Sequence, residues 1–138
     1  MYTLIDSQGA TGVSPTRFKS YTWNRSEKQV VNQAFANIEA VTNISFQDAG
    51  INNSEDSQLK IHLIGSNTIG SSRGGFGYTP HKNDSDSGII GINRDWYHLP
   101  NGDQIFKPLA GSLYGYTFLH EICHTLGLKH PHTIVNGF

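Results

Sequence analysis

His120, Glu121, His124, Gly127 and His130 fall within one run, His120-Glu-Ile-Cys-His-Thr-Leu-Gly-Leu-Lys-His130. Residues four apart on an α-helix lie one turn above each other on the same face, so His120 and His124 can present two imidazoles to one ion. Glu121, the next residue around the helix, can reach an activated water without being a ligand. Gly127 permits the positive φ that ends a helix and turns the chain back, which brings in His130 as a third ligand. Three neutral nitrogens and one open position describe a catalytic zinc site rather than a closed structural one. The reaction this suits is hydrolysis of a peptide bond through a metal-activated water. Glu121 as general base would take the water's proton and pass it to the leaving amine.

Such a site needs a helix, and residues from about Ser112 to Leu126 read as one, stopped at Gly127. A second helix is expected upstream. Ser26 reads as its N-cap, with Gln29 completing a capping box, and Val30, Ala34, Ile38 and Val41 recur at helical spacing. Phe18–Trp23 and Leu59–Ile64 alternate apolar and polar residues and read as strands, and Ile44–Gln47 reads as a short strand. Gly88–Asn93 is an apolar strand buried on both faces, and Gly75–Thr79 an irregular edge strand stopped by Pro80. Residues 1–17, rich in Gly, Ser and Thr, read as an irregular arm. Asp48–Gln58 and Asp95–Gly111 read as loops and Asn83–Gly88 as a turn. This order describes a single α/β (α+β) domain over residues 1–138, a mixed twisted sheet beneath two main helices.

The other candidates are weaker. His62 alternates with apolar residues in its strand and reads as a satisfied strand residue; His81 and His98 lie in loops without ligand spacing. His132, two residues after His130, reads as a tail residue, and Cys123 as a small residue packed against the sheet rather than a ligand or redox switch. Tyr114 and Tyr116 flank the start of the histidine helix and read as packing residues. Asp84 and Asp86 offer two carboxylates to calcium, without the rest of a calcium-loop signature.

Composition narrows the classes. The chain has 138 residues, 36% hydrophobic and 15% charged, with a net charge of −1. That leaves no basic stripe for nucleic acid or for a polybasic membrane surface. No apolar run approaches the roughly 20 residues of a membrane span. The lone Cys123 can form no internal disulfide, and no basic-then-apolar start marks a signal peptide.

The run from His120 to His130, followed by Pro131, resembles the zinc signature of the metzincin metallopeptidases, and within them of the serralysins. Ser20–Asn24 resembles the first strand of that family, Ala34–Phe46 its first helix and second strand, and Gly77–Pro80 with Gly88–Asn93 its fourth and fifth strands. Gly115–Leu119 leads into the zinc helix as in the family, so the likeness spans roughly residues 18–131. It implies a five-stranded mixed twisted sheet with one antiparallel edge strand, and two main helices of which the second carries the zinc motif. It implies one catalytic zinc on His120, His124 and His130, with Glu121 as base. It also implies an extended peptide or protein substrate, held by main-chain hydrogen bonds along Gly74, Gly75, Phe76, Gly77, Tyr78 and Thr79, and a secreted protein.

Eight residues follow His130, the sole methionine is Met1, and no GGxGxD repeat is present. The family's Met-turn, its zinc-binding tyrosine and its calcium repeats are therefore not carried over. A second reading follows from the same facts: a truncated or non-catalytic module that keeps the metal and the peptide-binding edge. Apolar surface left under the zinc helix would also favour a homodimer.

Overall fold

The computed structural model describes residues 1–5, 20–81, 85–97 and 113–130. Four strands form one mixed sheet in the order β1-β2-β4-β3: β1 (Tyr2–Ile5), β2 (Leu59–Ile64), β3 (Gly75–Gly77) and β4 (Ile89–Asn93). β1 and β4 both run parallel to β2, and β3 runs antiparallel to β4 with Phe76 opposite Gly91. Helix α1 (Arg25–Glu39), the single turn α2 (Ser66–Ile69) and helix α3 (Leu113–Thr125) complete the frame, with 3-10 turns at Ile51–Asp56 and Arg94–Tyr97.

One core joins the layers. α1 contributes Val30, Val31, Ala34, Phe35 and Ile38, the sheet contributes Leu59, Ile61, Leu63, Ile90 and Ile92, and α3 contributes Phe118 and Ile122. Phe118 meets Phe35 edge to face, ring centroids 6.1 Å apart. Both α3 side chains are fully buried, and each such burial is worth about 1.5–3 kcal/mol. This pins one face of α3 to the core and leaves the opposite face to its histidines.

The expected elements shift in four places. Residues 1–17 do not begin as an irregular arm, because Tyr2–Ile5 pairs residue for residue with Leu59–His62. Residues 6–17 lie outside the described residues. The expected strand at Phe18–Trp23 is not one over its described part. Ser20 and Tyr21 instead meet β2 where β1 ends: the Leu63 amide donates to Ser20 Oγ (2.9 Å) and the Tyr21 amide to the Leu63 carbonyl (2.7 Å). A hydroxyl has taken a ladder position. Ile44–Gln47 forms no strand; the residue after it, Asp48, makes one isolated parallel bridge to Tyr2 of β1. The sheet thus has four strands among the described residues, not five.

α1 also starts and ends earlier than its periodicity suggests. Asn24 is its N-cap, accepting from the Glu27 amide (2.9 Å) while Glu27 Oε2 accepts from the Asn24 amide (2.8 Å). The box is Asn24–Glu27 rather than Ser26–Gln29 because Glu27 is fully buried and its other oxygen binds Arg94 Nε at 3.0 Å. Val41 lies past the helix end and is 82% exposed.

Candidate metal centre

α3 carries the histidines where its sequence predicts. Phe118, Ile122 and Thr125 face inward, and the 3.6-residue repeat turns Tyr116, His120 and His124 to the other side. The helix ends in a full Schellman motif. Gly127 adopts φ 95°, its amide donates to the His124 carbonyl (2.9 Å), and the Leu128 amide donates to the Cys123 carbonyl (2.9 Å). The turn swings Leu128–His130 back over the helix end.

It brings three ring nitrogens together. His120 Nε2 lies 2.9 Å from His130 Nε2, and His124 Nε2 lies 3.0 Å from each of the other two. An imidazole nitrogen carries in its ring plane either a proton or a lone pair, never both. A closed triangle of such atoms therefore cannot be satisfied by hydrogen bonds among themselves. A Lewis acid shared by three lone pairs satisfies it, so the donor set fits a metal ion. His124 makes its own tautomer plain: Nδ1 lies 2.8 Å from the Leu128 carbonyl. A carbonyl only accepts, so Nδ1 holds the proton and Nε2 offers its lone pair to the centre. At His120, burial first and then the charges of His124 and His130 lower the pKa, which favours the neutral ligand form.

These three histidines are the group of ligating side chains, among the described residues, whose atoms lie within 4.8 Å of one another. They are close enough to bind one metal ion. Glu121 and Cys123 stand outside the group. Cys123 is half-buried, and burial raises its thiol pKa. Asp86 belongs to no such group, and Asp84, the other carboxylate weighed for calcium, lies outside the described residues.

Glu121 points from α3 toward the edge strand and is 9% exposed. Burial raises its pKa, while His124 and then Arg73 pull it back down. The glycines of β3 make this approach possible. A Cβ on Gly75 would lie 3.3 Å from Glu121 Cγ, and one on Gly77 would collide with the Glu121 backbone. Phe76 turns to the other face and covers Gly91, where an added Cβ would lie 2.4 Å from its ring.

Of the six residues expected to line a peptide, Gly75, Phe76 and Gly77 form β3, with Gly74, Tyr78 and Thr79 flanking it. The Asn93 amide donates to the Gly74 carbonyl (2.8 Å) and the Tyr78 amide to the Ile89 carbonyl (3.1 Å). In an antiparallel ladder the alternate residues then turn their main-chain groups outward, and these are Gly75 and Gly77.

One residue differs from its sequence reading, and one role was not anticipated. Tyr116 does not pack; it is 66% exposed, its ring 6.1 Å from that of His120. The Leu128 carbonyl has a positioning role that no side-chain motif announces, although it occupies the second position past the helix end that a Schellman glycine predicts. His62 is fully buried in β2, and His81 sits in a loop with its Nε2 3.0 Å from Thr79 Oγ1. His98, His132 and the side chain of Tyr114 lie outside the described residues. No described helix is long and apolar enough to cross a membrane.

No family model matches the chain, and neither a curated protein nor a solved structure matches it.

Proposed function

We propose that this chain is a zinc-dependent endopeptidase of metzincin type, with His120, His124 and His130 holding zinc and Glu121 acting as general base. The convergence of three Nε2 atoms at 2.9–3.0 Å beside a helix-borne glutamate carries the reading. Three imidazoles are a donor set that zinc favours in catalytic sites. The chemistry zinc supplies when bound is acidification of water and polarisation of a scissile carbonyl. The chain's own residues do the rest. The outward main-chain groups of Gly75 and Gly77 bind an extended peptide by adding it to the sheet edge. The Glu121 carboxylate accepts the proton of the attacking water and delivers it to the departing amine. Its partial burial raises its proton affinity toward the working pH, which suits a base that must also act as an acid.

The second reading, a zinc-holding peptide-binding module without turnover, draws on one observation: Glu121 is only 9% exposed. One experiment separates the two. Zinc is quantified in the purified chain, and a quenched peptide library is assayed with and without chelator, beside Glu121→Gln. The enzyme reading expects stoichiometric zinc, chelator-sensitive cleavage, and a loss of turnover in Glu121→Gln with zinc retained. Stoichiometric zinc without chelator-sensitive cleavage supports the module instead, and absence of zinc sinks both.

A further inference from the structure

Arg73 stands two residues before β3 and is exposed. Its backbone is held firmly. Asn93, fully buried at the end of β4, donates from Nδ2 to the Arg73 carbonyl (2.8 Å) and to Ser66 Oγ (3.0 Å), and its amide donates to the Gly74 carbonyl (2.8 Å). Asn93 Oδ1 accepts from the Asp95 amide (3.1 Å). This hub ties the loop entering β3 to the sheet, so the Arg73 backbone has a set position at the Gly74 end of the edge strand. Glu121 lies beneath the strand, its Cγ 3.3 Å from where a Cβ on Gly75 would sit, and is buried, whereas Arg73 is exposed. A guanidinium at one end of a peptide-binding edge meets incoming carboxylates with a fork of N–H donors that matches their geometry.

We infer that Arg73 is a specificity-determining residue, selecting peptides that place a carboxylate at the Gly74 end of the β3 edge. This rests on the edge-binding part of the proposed function and does not require turnover. The carboxylate has two sources, an acidic side chain or a free C-terminus.

Peptide binding to the chelator-treated chain tests it, read by fluorescence anisotropy so that no cleavage intervenes. One pair of amidated peptides differs only by Glu against Gln; a second pair, without acidic side chains, differs only by a free against an amidated C-terminus. The expected result is about threefold to tenfold tighter binding of the carboxylate member of one pair. The preference should shrink with added salt. It should vanish in Arg73→Gln and reverse in Arg73→Glu. The pair that responds identifies the source. Equal binding of both members of each pair, no binding at all, or a preference that survives in Arg73→Gln would overturn the inference. Failure of the zinc and cleavage assay bears on the catalytic proposal alone, so the two failures are told apart.

Discussion

A Cβ on Gly77 would stand 2.3 Å from the backbone oxygen of Glu121, so the edge strand and the histidine helix meet backbone to backbone. Side chains elsewhere keep helix and strand apart; here their absence sets the distance. Gly77→Ala should therefore push α3 off β3. The expected cost is about 1–3 kcal/mol, the usual range for overpacking a closed contact. Urea denaturation measures it, and an unchanged midpoint would mean that strand and helix slide apart freely.

Gly127 sits at φ 95° at the turn that returns His130. Gly127→Ala should cost about 1–2 kcal/mol, because a Cβ is strained in the left-handed region. It should also weaken zinc retention in competition with a chromophoric chelator, with Gly127→Asn milder on both counts. Unchanged zinc affinity in Gly127→Ala would separate the turn from the metal site. His130→Ala should lose zinc more readily than His132→Ala; the reverse order would overturn the ligand assignment.

His62 titrates against folding. Burial, and then the Lys60 ammonium, lower its pKa from 6.5 to about 4. The unfolded chain thus binds the proton more readily than the folded one. Above pH 6.5 both states carry a neutral ring and His62 has no effect. As pH falls from 6.5 toward 4, stability drops by about 1.4 kcal/mol per unit, roughly 3 kcal/mol in all. His62→Leu should remove most of that slope in denaturation curves taken from pH 7 to pH 4. An unchanged slope would mean that other groups carry the acid sensitivity.

Arg94 and Glu27 form an ion pair between a carboxylate with no exposure and a side chain 21% exposed. Arg94→Met would leave that buried carboxylate without its cation. The expected loss is about 2–4 kcal/mol, somewhat below the cost for a wholly buried pair. Glu27→Gln combined with Arg94→Met should lose less than the sum of the two single changes, which a double-mutant cycle by chemical denaturation reads directly.

The candidate site was legible in the sequence because its geometry is local. The i, i+4 spacing of His120 and His124 and the glycine at 127 act within two turns of helix, and no distant residue is needed to anticipate them. The sheet was less legible because its pairing is not local. Tyr2–Ile5 has no alternation of its own; it becomes a strand by lying beside Leu59–His62. Ser20 and Ile44–Gln47 lie near ladders without extending them, which propensity does not reveal. At α1 two capping patterns overlap within six residues, and the outcome was decided by Arg94, far away in sequence. The β3 glycines read equally well as loop or as close-contact residues, and the partner that distinguishes these, the Glu121 backbone, lies on another element.

His124 is engaged at both ring nitrogens, one aimed at the centre and one donating to the carbonyl of Leu128, whose amide closes the same helix. Fraying of the helix end would therefore also loosen the set of three nitrogens. An ion bound there would slow hydrogen exchange at the amides of Gly127 and Leu128, neither of which contributes a ligand. The backbone next door would thus report whether the centre is filled.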